Sequence, residues 1–220
     1  MLPPSHNSLS HESLEGPIIL IGGGGHAAVV ADAARKSGFE VLGFTDDDPA
    51  VTLPRISHLG SIDDVLSEHD FVGVPVILAM GPSALRDRLV LKLADRPLAT
   101  VIHPNAVVSS DASVASGVFV GPGAIINARA HISAHAIVNS AAIVEHDCSV
   151  GIGAHAAPAS TMGGGATLGD HALLGLGAVV LPGITIGTKA IVGASALVTR
   201  DVQAKESVAG IPARALSQSA

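Results

Sequence analysis

The chain has 220 residues, 48% of them hydrophobic, with a formal net charge of −7, no Trp or Tyr, four Phe and a single cysteine. No basic run accompanies the acidic balance, so nucleic acid and anionic membrane are poor partners. No stretch approaches the ~18 uninterrupted apolar residues of a spanning helix, and a lone Cys148 excludes an internal disulfide and suits a reducing cytoplasm.

Residues 1–16 are polar, without the apolar core of a signal peptide, and read as a disordered lead-in. Residues 17–100 read as a small α/β domain. Ile18 to Ile21 is a short apolar run ending in Gly22-Gly23-Gly24-Gly25-His26, the pattern of a buried strand. The alanine-rich segment from Ala27 to Ser37 spaces Val29, Val30 and Ala33 as a helix does, and Gly38 stands where it stops. Val41 to Phe44 is a second strand closed by Asp46-Asp47-Asp48-Pro49, and Val74 to Met80 a third, ending at Gly81-Pro82-Ser83 before a helical segment at 84–94. Strands alternating with helices describe a Rossmann-like parallel sheet, which binds ligands at the carboxyl ends of its strands.

Those ends are the glycine loop, with Gly22, Gly24, Gly25 and His26, the Asp46-Asp47 turn, and Gly81. Glycines there let a backbone approach a phosphate and aim N–H groups at it, though a tight strand-to-helix turn needs them too. His26 and Ala28 replace the later glycines of the dinucleotide fingerprint, and the domain is too short for two mononucleotide halves. A mononucleotide, or a sugar linked to one, is the better expectation. Asp46 and Asp47 are placed to accept bonds from its base or ribose; the alternative is a solvated turn.

From residue 101 the pattern changes to a fixed short period. An aliphatic residue, with Ala156 the one smaller exception, returns at every sixth position from Ile102 through Val108, Val114 and Val120 to Val198, and four residues after most of them stands another small residue, usually alanine. A helix would walk such a period around its axis, whereas short strands joined by turns hold it. Residues 101–220 are expected to form a parallel β-helix whose interior is a stack of branched aliphatics, with function carried by residues that break the pattern.

Few residues do. His146 and Asp147 follow the core position Val144, His155 stands nine residues later, and Gly163-Gly164-Gly165 follows Met162. If three hexads make a coil, Gly164 stacks above His146 at about one strand spacing, ~4.8 Å. A base beside a free backbone donor is what acyl transfer to a nucleophile needs: one takes the proton, the other binds the oxyanion. An exposed histidine on such a prism more often serves packing, and a glycine triplet more often marks a bulge; the one-coil coincidence favours the catalytic reading. Cys148 falls at a small-residue core position and reads as packed rather than nucleophilic. A class of carbonic anhydrases holds zinc on a similar prism with two ligands five residues apart; the nearest pair here, His131 and His135, is four apart, so no metal site is expected.

With these residues in view, the chain resembles the left-handed β-helix acyltransferases of the hexapeptide-repeat class, in the bacterial sugar O-/N-acetyltransferase branch that includes sialic acid O-acetyltransferase-like proteins. The resemblance spans about residues 17–216. It rests on the Gly22-x-x-Gly25-His26 opening, Asp46-Asp47, Asn139-Ser140, Glu145-His146-Asp147-Cys148 and the closing Gly210-Ile211-Pro212-Ala213-Arg214. It implies a homotrimer with active sites between subunits, acetyl-CoA along the solenoid groove and a nucleotide-linked amino sugar on the N-terminal domain. In that frame His146 is general base, Asp147 orients and polarises it, Asn139 supports it, and the Gly164 N–H forms the oxyanion hole. His155 lies near the thioester and pantetheine, and Gly210, Ile211, Pro212 and Arg214 lie near the coenzyme A adenine. An Asp after the histidine is similar to the GDP-perosamine N-acetyltransferase type, and a Glu to a UDP-4-amino-sugar type. An O-acetyltransferase of a sialic-acid-like sugar and a non-enzymatic scaffold are the alternatives.

Overall fold

A computed structural model describes residues 16–67, 69–81, 84–93 and 95–216; the expected lead-in, apart from Gly16, lies outside the described residues. In the N-terminal part, β1 (Pro17–Ile21), β2 (Glu40–Thr45) and β3 (Val76–Leu78) form a parallel sheet in the order β2-β1-β3. Central β1 is covered on both faces, which is why its sequence is an unbroken apolar run rather than an alternation. Ile18 and Leu20 pack under α1 (Gly25–Lys36), and Ile19 and Ile21 pack against α2 (Ile62–Ser67) and α3 (Ala84–Lys92). The third strand is shorter than the apolar run that signals it. The α2 helix has six residues, too few for a period to show in the sequence.

The solenoid follows the six-residue register from Val101 to Val198. From Val101 to Val198 each two-residue strand pairs in parallel with the strand eighteen residues on, as Val144 pairs with Met162 and Met162 with Val180, and at the C-terminal end the spacing contracts to sixteen, as Val192 pairs with Val208. Three parallel sheets result, and the inward residues from Val120 to Val198 are essentially inaccessible. Alanines such as Ala124, Ala142 and Ala166 fill the corners between them, and Cys148 occupies one such position with its thiol buried.

The two parts share a core. Phe119 and Ile137 point outward from one solenoid face and are buried with Ala27, Val30 and Ala34 of α1. On the other side of the sheet, Arg86 of α3 is 1% exposed. Its guanidinium donates to the carbonyls of Gly153, at 3.2 Å, and His135, while Nε donates to Met80 O. Its neighbour Asp87 pairs with His171 at 2.8 Å. The α/β part is thereby seated on the solenoid by an apolar contact at α1 and a polar one at α3.

Candidate functional site

The glycine loop divides by physical need. Gly22 holds φ +105°, and a Cβ on Gly23 would enter the Phe44 ring and come within 2.6 Å of Val51. Both glycines are demanded by the fold. Gly24 and Gly25 are exposed with nothing within 4 Å of a built Cβ, so packing does not require them. They open the N-terminus of α1, where N–H groups lack intrahelical acceptors and no side chain caps the end.

Asp46 ties this loop to the end of β2. Its Oδ2 accepts the Gly23 N–H at 2.8 Å and its Oδ1 accepts the Asp48 N–H at 3.0 Å. Asp47 Oδ1 accepts the Ile62 N–H at the start of α2, at 3.0 Å. Asp47 also borders a cleft of about 570 Å³ between α2 and α3, with Ser61, Arg88 and Lys92 among its walls. Gly81, at the end of β3, has open space where a Cβ would stand.

His26, the second residue of α1, joins the loop to the solenoid. Its ring meets Phe119 edge-on at 5.3 Å and lies 6.3 Å from the His155 ring. His155 is buried beneath the α/β part, so this outward-pointing histidine does not face solvent. The Asn139 amide lies 3.0 Å from His155 Nε2, and Asn139 Oδ1 accepts the Ser140 N–H. Within the chain, then, Asn139 is bonded to His155 rather than to His146. An amide N–H donated to Nε2 leaves the neutral ring's proton on Nδ1. That Nδ1 and His26 Nε2 are buried without a partner among the described residues.

Burial disfavours charge on these rings. His155 is pushed down to about 3 by desolvation, with His26 and Arg86 adding to it. His26 falls to about 4 by desolvation and then Arg86. His135 falls to about 4 by desolvation, Arg86 and His171. Below the unfolded histidine value of ~6.5 the unfolded chain binds protons that the folded chain refuses. Stability is therefore complete above that value and declines as pH falls toward 4. Thermal melting in this window should drop steadily, and His155→Gln should flatten the slope. A melting temperature constant from pH 7 to pH 4 would contradict neutral burial.

The second cluster is His146, Asp147 and Gly164. Asp147 sits at a solenoid corner with φ +61°, a conformation Asp tolerates better than most residues. From there its Oδ2 lies 2.7 Å from His146 Nδ1, which directs Nε2 away from the carboxylate. The coil register stacks residue 164 over residue 146, and Gly165 N–H donates to His146 O at 2.9 Å. A Cβ on Gly164 would lie 2.6 Å from Cε1 and 2.7 Å from Nε2 of the imidazole. Only glycine leaves the ring there, and the Gly164 N–H has no acceptor among the described residues.

Sequence reasoning passed over Arg129, whose guanidinium holds Asp147 through both carboxylate oxygens. The signal was available, because 129 is eighteen residues before 147. Hydrogen bonds from Arg129 and then His146 hold the Asp147 carboxyl far below the usual carboxylate range, so it stays ionised at every working pH. At the C-terminal end, Ser207–Ala209 pairs antiparallel with Arg214–Ala215. The link between them carries Gly210 at φ +96° and a cis Ile211-Pro212 bond, with Ile211 and Arg214 exposed. No described helix is long and apolar enough to cross a membrane.

Known proteins share this fold. Residues 17–93 match the family model of the PglD N-terminal domain. A crystal structure of a mutant perosamine N-acetyltransferase from Caulobacter crescentus, in complex with CoA and GDP-perosamine, is 37% identical, with a TM-score of 0.87 over 92% of this chain and 98% of that one. The acetyltransferase domain of PglB from Neisseria gonorrhoeae, in complex with acetyl coenzyme A, is 29% identical, with a TM-score of 0.85 over 91% of this chain and 98% of its own. WeeI from Acinetobacter baumannii is 26% identical over 91% of this chain and all of its own, with a TM-score of 0.72. The chain belongs to the family of acetyl-CoA-dependent sugar N-acetyltransferases built on a left-handed β-helix.

Proposed function

We propose that this enzyme transfers the acetyl group of acetyl-CoA to the 4-amino group of a nucleotide-linked dideoxy sugar, with GDP-perosamine as acceptor. The observation that carries the reading is the His146 imidazole, oriented by Asp147 and lying against the unencumbered backbone of Gly164. The neutral amine attacks the thioester carbon directly, within a ternary complex. The C–N bond forms as His146 takes the amine proton, the Gly164 N–H holds the oxyanion, and collapse breaks the C–S bond, the leaving sulfur taking that proton from His146 so that CoA departs as thiol. The two glycine-opened N–H groups at the start of α1, with Asp46 and Asp47, hold the nucleotide sugar. His155 and Asn139 lie near the acetyl group, and Gly210, Ile211, Pro212 and Arg214 hold the far end of CoA. A homotrimer places these groups in clefts between neighbouring prisms. The reaction takes place in the cytoplasm and supplies an N-acetylated sugar for surface polysaccharide.

The test is a screen of GDP-, UDP- and dTDP-linked 4-amino sugars with acetyl-CoA, followed by free thiol release, with hydroxyl sugars in parallel. Thiol release only with hydroxyl acceptors, or with none, would overturn the proposal; turnover confined to UDP sugars would move it to the UDP-4-amino type. Gly164→Ala probes the same geometry. Its methyl displaces the half-exposed imidazole, so melting should be unchanged while kcat/KM falls on the order of 10²-fold, the cost of a misplacement of about 1 Å. Native turnover from that variant would separate Gly164 from the reaction.

A further inference from the structure

Arg129 occupies the corner one coil before Asp147, and the two corners share a left-handed backbone, at φ 59° and 61°. Their side chains therefore leave the prism in register. Arg129 Nε stands 2.6 Å from Asp147 Oδ1 and Nη2 stands 2.8 Å from Oδ2, a two-point fork. The same Oδ2 lies 2.7 Å from His146 Nδ1, so one carboxylate is shared by a guanidinium and an imidazole.

As a contribution to stability this pair is negligible, because both side chains are largely exposed and such pairs are screened. Its geometric consequence is larger. A fork engaging both oxygens fixes the plane of the carboxylate, which a single contact to a short side chain does not. The charges around the imidazole also matter. Glu145 accepts the His146 N–H at 3.3 Å, Asp147 faces Nδ1, and Asp111 lies in the field of Arg129. On the next coils the corner positions are Gly165 and Gly183, which carry no charge. Arg129 is the cation that offsets these carboxylates.

We infer that Arg129 is a positioning residue for His146: acting through Asp147, it fixes the imidazole's tautomer and orientation and limits how strongly the neighbouring carboxylates hold a proton on it. This rests on the reading of His146 as general base. A base flanked by uncompensated carboxylates remains protonated to higher pH, where it cannot accept the amine proton.

The test uses the full chain with Arg129→Ala and Arg129→Lys, and two readouts. One is the pH profile of kcat/KM; the other is an NMR titration of the His146 ring, assigned by its loss in His146→Gln. In Arg129→Ala both the acidic limb and the ring midpoint should move up by about half to one pH unit. At the optimum, kcat should fall several-fold, with the sugar KM and the melting temperature little changed. Arg129→Lys should return the limb toward its native place but recover only part of kcat, since an ammonium does not engage both oxygens in a fixed plane. An unmoved limb and midpoint in Arg129→Ala would overturn the inference, whatever the loss of rate. If no amino sugar is acetylated by the native enzyme, the proposed function fails, and the NMR midpoint still decides whether Arg129 acts on His146.

Discussion

His146→Ala is expected to lower kcat/KM by roughly 10²–10⁴, the usual worth of a positioned general base, with little change in melting. The side chain is 57% exposed and adds nothing to the aliphatic core, so the loss is chemical rather than structural. The variant should retain residual activity, because the Gly164 N–H and both substrate sites remain. Asp147→Asn should cost less, since the carboxylate only orients and polarises the ring. The pH profile separates the two members of the pair. Asp147 is held ionised far below the working range by Arg129 and His146, so no acidic limb near neutrality originates from it. An imidazole is the remaining group of the pair whose charge changes there. The native enzyme should therefore show an acidic limb that His146→Ala removes. A variant with native rate and the same limb would take His146 out of the mechanism, and His155, held neutral by burial, would not account for that limb.

What could be read from the sequence was whatever a fixed period encodes. Given three hexads to a coil, the stacking of Gly164 over His146 follows from the hexads, because the repeat leaves no freedom of register. The same arithmetic reaches Arg129 from Asp147; it was missed because an arginine at a turn looks like ordinary solvated surface. His155 shows where periodicity ends. It breaks the aliphatic pattern as His146 does, yet one is exposed and the other buried. The difference is α1, which covers the face of His155 and is more than a hundred residues away in sequence. Nothing local marks Phe119 and Ile137 as part of the α/β core, or Arg86 as a buried guanidinium with partners on the solenoid. The glycine loop was legible as a loop. Only the structure divides it into Gly22 and Gly23, which the fold needs, and Gly24 and Gly25, which it does not.

Val180→Asp is expected to have the largest effect on the scaffold. Val180 is 1% exposed and lies in the inward column between Met162 and Val198, within a cluster of buried apolar side chains. Placing a charge or an unpaired acid there costs several kcal/mol, a large share of the ~5–15 kcal/mol that holds a domain folded. Melting should fall by ~10 °C or more, if the variant accumulates at all. The control is one residue away. Val179 belongs to the same strand but faces out at 37% exposure, so Val179→Asp should keep the native β-sheet circular dichroism and most of the melting temperature. In a strand, neighbouring side chains point to opposite faces, and the pair therefore tests the register rather than mere tolerance of charge. Equal melting of the two variants would mean that the six-residue period does not define the buried face. The stacking of Gly164 on His146 would then lose its foundation, because it depends on the same eighteen-residue coil.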